Sequence, residues 1–392
     1  MKKASLLLFL GALAVAACEK QPVKRTAEES ELTGTKVQVS AIPTGISKVF
    51  ILNEGGMGSN NASLDILRLQ EGEASGDYIT GVFKKVNLDA KAGLGDVGND
   101  IAVNGDELWM VINNSGIVEV VSALDEKEIA VVKVPTPRNI AFDANYAYVS
   151  SWAGAYATYS YDATGASTLT DSKNPKGQVY RINLKTKKVE GSVEVGYQPE
   201  GLAVSGGKLY VANSGGISCQ LAPDYAYDKT VSVIDTKTFK VSKTLEVVVN
   251  LKNVYADGKG NVYVTSMGNY YDVHSGLYMI DSNDRVSHIS DYVSASAIND
   301  GTVYCIGSEL EFDWSGAPKT WTAFSCNGGA KSSCDLTMDG TNPYCLCALG
   351  DGAFLVGDAG NYYEPGTVSL YTSRGKVWTV TAGVCPGHFA FK

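Results

Sequence analysis

One segment of the chain contains the complete pattern of a four-stranded antiparallel sheet. Gly196–Asn213 reads as two strands joined by a turn at Gly206-Gly207, and Thr230–Val241 reads as a third strand, a turn and the start of a fourth. Alternating apolar and polar residues bounded by Gly, Pro and Asp are typical of strands. Weaker copies recur along the chain. We therefore expect a repeat protein whose function lies in its loops.

Each repeat has an anchor in which an apolar residue is followed by a small one, often three residues after a proline. Anchors fall at Ile101, Ile140, Leu202, Val254, Ile298, Leu346 and Phe389. Seven anchors predict an all-β, seven-bladed β-propeller. The first clear strand, Val49–Leu52, has no inner neighbour, whereas Pro386–Phe391 reads as an inner strand with no blade after it. We expect the C-terminal strand to complete the N-terminal blade, because this pairing removes two exposed sheet edges.

The N-terminal residues predict export. Lys2-Lys3 precede the short apolar run Leu6–Ala17, which is too short for a membrane span and has the form of a signal peptide. Cys18 after small residues resembles a bacterial lipoprotein box, and the resemblance implies cleavage before Cys18 and its acylation. An ordinary signal peptide with a chance cysteine is the alternative. We predict a signal peptide at 1–17, a lipidated cysteine and flexible tether at 18–46, and a propeller at 47–392.

Composition and charge exclude several functions. The net charge of −9 argues against a nucleic-acid partner, which needs a basic surface. Cysteines 326 and 334 could close a small loop in an oxidising compartment, but buried free thiols are the expected state. The three histidines have no metal-ligand spacing, and no nucleophile motif is present. We expect no catalytic residue, no metal and no cofactor, and hence a protein that is not an enzyme.

Loops that enter inner strands and loops that leave second strands open on the same face of a propeller. In this chain those loops carry the insertions, many amides and hydroxyls, and many of the Tyr and Trp residues. Such a mouth suits a large, nearly uncharged ligand with flat surfaces and many amides. The alternative is that the aromatic rings pack the long loops against one another. We predict ligand contacts by Asn53, Glu54, Asn113, Asn114, Trp152, Tyr197, Gln198, Asn213, Tyr227, Asn269, Tyr270, Trp314, Asn361, Tyr362 and His388.

Charged residues also fall near the mouth. Asp96, Asp100 and Glu54 could gather at the channel, where they would hold backbone amides or an ion. Arg138 and Glu200 each follow an anchor proline in neighbouring blades, so we expect them to pair rather than to catalyse.

Several motifs resemble a known family. Leu209–Gly216 with Thr230–Thr238 looks like the YVTN (YncE-like) propeller repeat, and Val49–Gly55, Leu94–Ile101 and Val195–Glu200 are more specific. With the lipoprotein box, they resemble the surface propeller lipoproteins of gut-dwelling Gram-negative bacteria, of which the BtuG-type cobalamin-capture lipoproteins are the best known. The resemblance implies a lipid anchor at the cell surface of the outer membrane. It also implies binding of cobalamin or a related corrinoid as a ligand, and its delivery to a TonB-dependent outer-membrane transporter.

Two other functions stay open on the sequence alone. A propeller enzyme of the lactonase-like or quinone-dependent kind would need a metal or a cofactor clamp at the channel mouth. A protein–protein scaffold would use one propeller face for a partner without any small ligand.

Overall fold

The computed structural model is a ring of seven antiparallel sheets, six with four strands and one with five, which is the β-propeller that the seven anchors predict. It describes residues 32–90, 93–153, 158–161, 167–171, 176–215, 227–311, 319–334, 336, 338 and 342–392, with the backbone alone at 158–161 and 167–171. In blades 2 to 7 the order of strands follows the chain, so each is a meander that runs from the channel outwards, whereas blade 1 takes its inner strand from the C-terminus.

The first three blades carry the small additions to the ring. Blade 1 contains β1 (Thr35–Gln38), β2 (Lys48–Asn53), β3 (Ser63–Arg68) and β4 (Ser75–Ile79), and the short helix α1 (Val82–Val86) follows it. Blade 2 contains β5 (Gly98–Asn104), β6 (Glu107–Ile112), β7 (Ile117–Ser122) and β8 (Glu128–Lys133). Blade 3 contains β9 (Pro137–Phe142), β10 (Tyr146–Ser151), β13 (Lys176–Asn183) and β14 (Val189–Tyr197), with an inserted hairpin of β11 (Thr158–Tyr161) and β12 (Ser167–Asp171).

The remaining blades have four strands each. Blade 4 contains β15 (Pro199–Ser205), β16 (Lys208–Asn213), β17 (Thr230–Asp235) and β18 (Lys240–Glu246). Blade 5 contains β19 (Leu251–Ala256), β20 (Val262–Ser266), β21 (Gly276–Ile280) and β22 (Val286–Asp291). Blade 6 contains β23 (Ala295–Asn299), β24 (Thr302–Gly307), β25 (Thr322–Asn327) and β26 (Ala330–Ser333). Blade 7 contains β27 (Pro343–Gly350), β28 (Ala353–Asp358), β29 (Pro365–Thr372) and β30 (Gly375–Val384), and β31 (Pro386–Phe391) follows it.

The ring closes as the sequence predicts. Strand β31 pairs antiparallel with β2, and Ile51 lies opposite Phe389 in the register. The anchors at Ile101, Ile140 and Leu202 also lie on inner strands, as do the other four anchors. Closure satisfies the backbone groups of β2 on both sides, because β3 pairs with its other edge.

Seven clusters of buried side chains fill the spaces between adjacent blades, one for each interface. Side chains alternate in direction along a strand. In β2, Phe50 and Leu52 therefore pack towards blade 2, whereas Val49 and Ile51 pack towards blade 7. This two-sided burial explains why the second strands read as nearly continuous apolar runs.

The prediction of a flexible tether through residue 46 is wrong for its final part. Strand β1 pairs with β4 as a fifth strand at the outer edge of blade 1. Val37, Val39 and Ile42 are buried in the cluster between blades 1 and 7. The indole Nε1 of Trp378 also donates to the carbonyl oxygen of Gln38 at 2.6 Å. The signal peptide and Cys18 lie outside the described residues.

Candidate functional site

One face of the ring carries the loops that enter inner strands and leave second strands. We call it the loop face, and it includes 53–62, 94–97, 113–116, 134–136, 196–198, 247–250, 267–275 and 358–364. The opposite face is built from short turns, such as Gly206-Gly207 between β15 and β16. A loop on a rigid scaffold is the usual place for a binding site.

The entrances of five inner strands share an unusual backbone. The residue directly before the strand has a positive φ in each: Val97 (62°), Thr136 (38°), Gln198 (46°), Asn250 (56°) and Cys385 (52°). A register shift follows within the first residues of these five strands. Non-glycine residues adopt this conformation only at a cost, and bulges turn side chains out of the ladder. The repeated kink therefore directs the first side chains of these inner strands to the channel mouth.

The channel encloses a cavity of about 590 Å³ lined by all seven inner strands. Its polar lining includes Asp100, Asn139, Asn253, Ser296 and His388. The carboxylate of Asp100 accepts the backbone N–H of Ile140 at 2.9 Å and thereby joins blades 2 and 3. Burial raises the pKa of Asp100, and the nearby His388 opposes that rise. Lys252 and apolar side chains also line the cavity, so its wall mixes neutral hydrogen-bonding groups, apolar surface and charges of both signs.

A network around Glu54 lies at the mouth of the channel. One carboxylate oxygen of Glu54 accepts the hydroxyl of Tyr344 at 3.0 Å, and the other lies 3.2 Å from Nε2 of His388. Burial, and then the charge of Glu54, raise the pKa of Tyr344 well above its usual value, so its hydroxyl stays a donor. Gly387 leaves the space for Glu54, because a Cβ at Gly387 would come within 2.6 Å of Oε1. The ring of Tyr344 also meets Tyr362 edge-on, with centroids 5.7 Å apart.

Arg138 and Glu200 form the ion pair that the sequence predicts. Nε of Arg138 lies 3.0 Å from Oε2 of Glu200, and both side chains are largely buried. The guanidinium of Arg138 also lies over the ring of Trp152, 4.3 Å from its centroid. Trp152 is only 4% exposed. Its ring therefore supports Arg138 and is not open to a ligand in this structure.

Four other predicted contacts lie inside the protein, where they hold the loops in place. Asn53 and Asn213 are fully buried at the ends of β2 and β16. The amide of Asn213 donates to Thr230 and Ser232 at 3.0 Å, and that of Asn53 donates to Ser63 at 3.1 Å. Amides at strand ends satisfy neighbouring polar groups instead of facing solvent. The structure thus removes these side chains from the accessible surface.

Asn113 and Gln198 are also buried. The amide of Asn113 donates to the carbonyl oxygen of Pro137 at 2.8 Å, which joins blades 2 and 3. The backbone carbonyl oxygen of Gln198 accepts the hydroxyl of Ser214 at 2.8 Å, and Gln198 is 2% exposed. A polar residue after a strand is therefore no sign of exposure in this fold.

The other predicted residues lie at the surface of the loop face or at the mouth. Tyr197, Tyr270 and Tyr362 are exposed aromatics. Asn114 donates to Asp96 at 2.5 Å, and Tyr227 is partly exposed. The predicted residue Trp314 lies outside the described residues. The remaining predicted residues are Glu54, His388, Asn269 and Asn361, and the structure places them around the mouth or at the bases of exposed loops.

Three aromatic residues outside the predicted set lie on the loop face or at the mouth. Tyr271 is 87% exposed and Tyr363 is 88% exposed, more than the adjacent Tyr270 and Tyr362 that were predicted. Tyr344 is the second residue of the inner strand β27, and its hydroxyl donates to Glu54. Its position directly after Pro343 is equivalent to that of Arg138 and Glu200, which is the signal that could have identified it.

The described residues contain no group of three or more His, Cys, Asp or Glu side chains placed to hold a metal ion. His274, Ser275 and Glu311 are the residue types of a hydrolase triad, but their hydrogen bonds connect them in a different sequence, with Glu311 between Ser275 and His274. Ser275 donates its hydroxyl proton to Glu311, and Glu311 also lies 3.2 Å from Nδ1 of His274. In a serine nucleophile activated by histidine, the serine hydroxyl donates its hydrogen bond to the histidine ring. In the part of the chain described, no helix is long and apolar enough to cross a membrane.

The six cysteines of the described residues are free, including Cys326 and Cys334, so the loop that they could close is unbridged. Burial raises the pKa of Cys347 to about 12 and that of Cys385 to about 11. Burial also raises the pKa of Cys345 well above its usual value. These thiols stay protonated at neutral pH and act as small apolar side chains, as expected.

Comparisons with known proteins bear on the fold. No protein-family model matches the chain, and no curated protein matches it. A solved structure titled Kuenenia stuttgartiensis Hydrazine Synthase is 18% identical with a TM-score of 0.54, over 74% of this chain and 88% of that chain. Another, titled Structure of U3-55K, is 9% identical with a TM-score of 0.49, over 74% and 82%. At this identity the first similarity supports the propeller fold alone, and the chain is a seven-bladed β-propeller.

Proposed function

We propose that this protein is a non-catalytic binding protein for a large, nearly neutral small molecule, with cobalamin or a related corrinoid as the ligand. The observation that carries the proposal is the loop face itself, where exposed tyrosines lie on the same side of the ring as the mouth of a channel with a mixed polar and apolar wall. A preformed site limits the entropy cost of binding. Tyrosine offers a flat apolar surface and a polar tip on a side chain with few torsions.

The chemistry of the mouth favours a ligand rich in amides. The neutral lining groups Asn139, Asn253 and Ser296 can both donate and accept hydrogen bonds. Arg138 and Glu200 neutralise each other, so this pair adds no net charge to the site. A net charge of −9 on the chain also disfavours polyanions. A corrin macrocycle with amide arms has the flat faces and the polar edge that such a surface would bind.

The place of the protein in the cell belongs to the same proposal. The resemblance of residues 15–18 to a lipoprotein box supports attachment to the outer membrane through Cys18, with the propeller at the cell surface. Ligand would then pass to a TonB-dependent outer-membrane transporter. Labelling of the intact chain by radioactive palmitate, lost in Cys18→Ser, tests the anchor. Equal labelling of the variant would contradict it.

The central test is a calorimetric titration of the purified propeller with cyanocobalamin. We expect saturable binding at one site with a dissociation constant of about 1 μM or tighter, equivalent to roughly −8 kcal/mol, and a protein that keeps the red colour through dialysis. The bound molecule should be recovered chemically unchanged, because the proposal contains no catalytic step. A matched titration with haem, a flat molecule with two carboxylates, should give much weaker binding. Absence of saturable cyanocobalamin binding would contradict the proposal.

A further inference from the structure

The loop face carries the same five-residue segment twice. Gly268–Asp272 and Gly360–Glu364 both read Gly-Asn-Tyr-Tyr followed by an acidic residue. Both segments leave the second strand of their blade, β20 in blade 5 and β28 in blade 7. We call them the blade 5 finger and the blade 7 finger. The two fingers share four identical residues and the same position in their blades, so a shared role is the simplest explanation.

The two fingers also have the same internal geometry. Oδ1 of Asn269 accepts the backbone N–H groups of Tyr271 and Asp272 at 3.0 and 3.1 Å. Oδ1 of Asn361 accepts those of Tyr363 and Glu364 at 3.0 and 2.9 Å. A side-chain amide that closes its own turn fixes the backbone of that turn.

The backbone and the acidic residues complete the match. The first tyrosine of each finger has a positive φ, 63° at Tyr270 and 68° at Tyr362. Nδ2 of Asn269 donates to Asp272 at 2.6 Å, and Nδ2 of Asn361 donates to Glu364 at 3.2 Å. Each finger is thus a structured turn, and its tip is held in one place.

The second tyrosine of each finger is almost fully exposed. Tyr271 has 87% and Tyr363 has 88% of its surface in solvent. An alternative role for loop aromatics is to pack the loops against one another. That role does not apply to these two rings, because packing would cover them. A rigid turn that presents a bare ring is typical of a contact residue.

The spacing of the fingers constrains the size of what they contact. Blades 5 and 7 are separated by blade 6. Packed sheets lie about 10 Å apart, so tips on alternate blades are on the order of 20 Å apart. A sugar or an amino acid cannot touch both tips at once. A macrocycle with side arms can, if it lies across the mouth.

We infer that Tyr271 and Tyr363 are paired contacts for one large planar ligand that lies across the mouth and bridges blade 6. The inference rests on the proposed function and deepens it, because it sets the size and the charge of the ligand. Asp272 and Glu364 follow Tyr271 and Tyr363 in the chain and add one carboxylate to each finger. These carboxylates accept N–H groups of amide arms and repel ligand carboxylates.

Calorimetry with cyanocobalamin tests the inference on Tyr271→Ala, Tyr363→Ala and the double variant. We expect about five- to tenfold weaker binding for each single variant. The double variant should lose roughly the product of the two factors, because distant contacts add in free energy. Tyr271→Phe and Tyr363→Phe keep the ring and should bind within about twofold of wild type. Leu124→Ala, an exposed apolar residue in a turn of the opposite face, is the matched control and should bind unchanged.

The outcomes separate the two proposals. If wild type binds cyanocobalamin and the double variant binds equally well, the paired contact is overturned and the proposed function stands. A loss confined to one of the two single variants also overturns the pairing. If wild type does not bind, the proposed function falls and the inference falls with it. Melting temperatures of all variants should match wild type, because both rings are exposed.

Discussion

Blades 1 and 4 each contain a four-stranded antiparallel meander, but the two meanders are assembled differently. Blade 4 is made from one continuous stretch, β15 to β18. Blade 1 combines β31 with β2, β3 and β4, and β1 adds a fifth strand outside. His388 and Glu54, which meet at the mouth of blade 1, are 334 residues apart in the chain. One blade is thus a local unit, whereas the other exists only when distant parts of the chain come together.

The ion pairs of the two blades differ in the same way. Lys48, at the start of β2, reaches Glu126 in blade 2 at 2.6 Å, and Glu126 is 1% exposed. Lys229 and Glu246 pair within blade 4 at 2.7 Å, with more than half of each side chain exposed. Buried pairs are sensitive to the loss of one partner, whereas exposed pairs contribute little. The closing blade should therefore be the more fragile one.

The largest expected effect comes from removal of β31. Deletion of residues 386–392 exposes the edge of β2 and the apolar side chains of Val49–Leu52, which are fully buried. We expect loss of most of the folding free energy, which is on the order of 5–15 kcal/mol for a domain. Circular dichroism melts and limited proteolysis measure it. Phe391→Ala, which keeps the strand, is the control, and a deletion variant as stable as wild type would show that closure is unimportant.

A smaller effect distinguishes the two ion pairs. Lys48→Met leaves Glu126 buried without its closest cation and should cost about 3–5 kcal/mol at pH 7.5, whereas Lys229→Met should cost about 0.5 kcal/mol or less. Urea unfolding of both variants measures the difference. Equal costs would contradict the contrast between the blades.

The pH dependence of the Lys48→Met variant provides a further check. Burial raises the pKa of Glu126, and Lys48 opposes that rise. A carboxyl group whose pKa is raised on folding favours the folded state below its unfolded pKa. That contribution is lost as pH rises through the folded pKa. Without Lys48 the folded pKa rises further, so the cost of Lys48→Met should be smaller at pH 4.5 than at pH 7.5.

The smallest effect concerns the loops that leave second strands. Ala153 has a φ of 61° two residues after the end of β10, where blades 4 and 5 have Gly215 and Gly268 with φ of 60° and 65°. Ala153→Gly should therefore be neutral or stabilise by about 0.5 kcal/mol, and Gly215→Ala should destabilise by about 1 kcal/mol. Urea unfolding measures both. A stabilising Gly215→Ala would show that the left-handed backbone at this position carries no cost.

The sequence was sufficient to predict the ring and its closure. Inner strands have anchors such as Pro199 with Leu202, because the packing of every blade against its neighbours repeats the same apolar positions. Strand β1 was missed although Val37 and Val39 alternate. Four residues of alternation among polar neighbours are a weak signal, and pairing with β4 determines the outcome.

The site was harder to predict than the fold. Asn213 ends a second strand and Tyr271 lies in the loop after one, yet the first is buried and the second is exposed. Burial depends on whether a neighbouring strand offers hydrogen-bonding partners, and Ser232 offers one to Asn213. Exposure at Tyr271 depends on the turn closed by Asn269. These are tertiary and local backbone properties that residue type alone does not determine.

The closure of blade 1 by β31 has a consequence for biosynthesis. Blades 2 to 7 are synthesised before β31, so β2 has no inner partner while more than three hundred residues are added to the chain. During that interval the nascent chain presents an unpaired apolar edge that can recruit a strand from another polypeptide. A chaperone that shields this edge until the ring is complete should therefore raise the yield of folded protein.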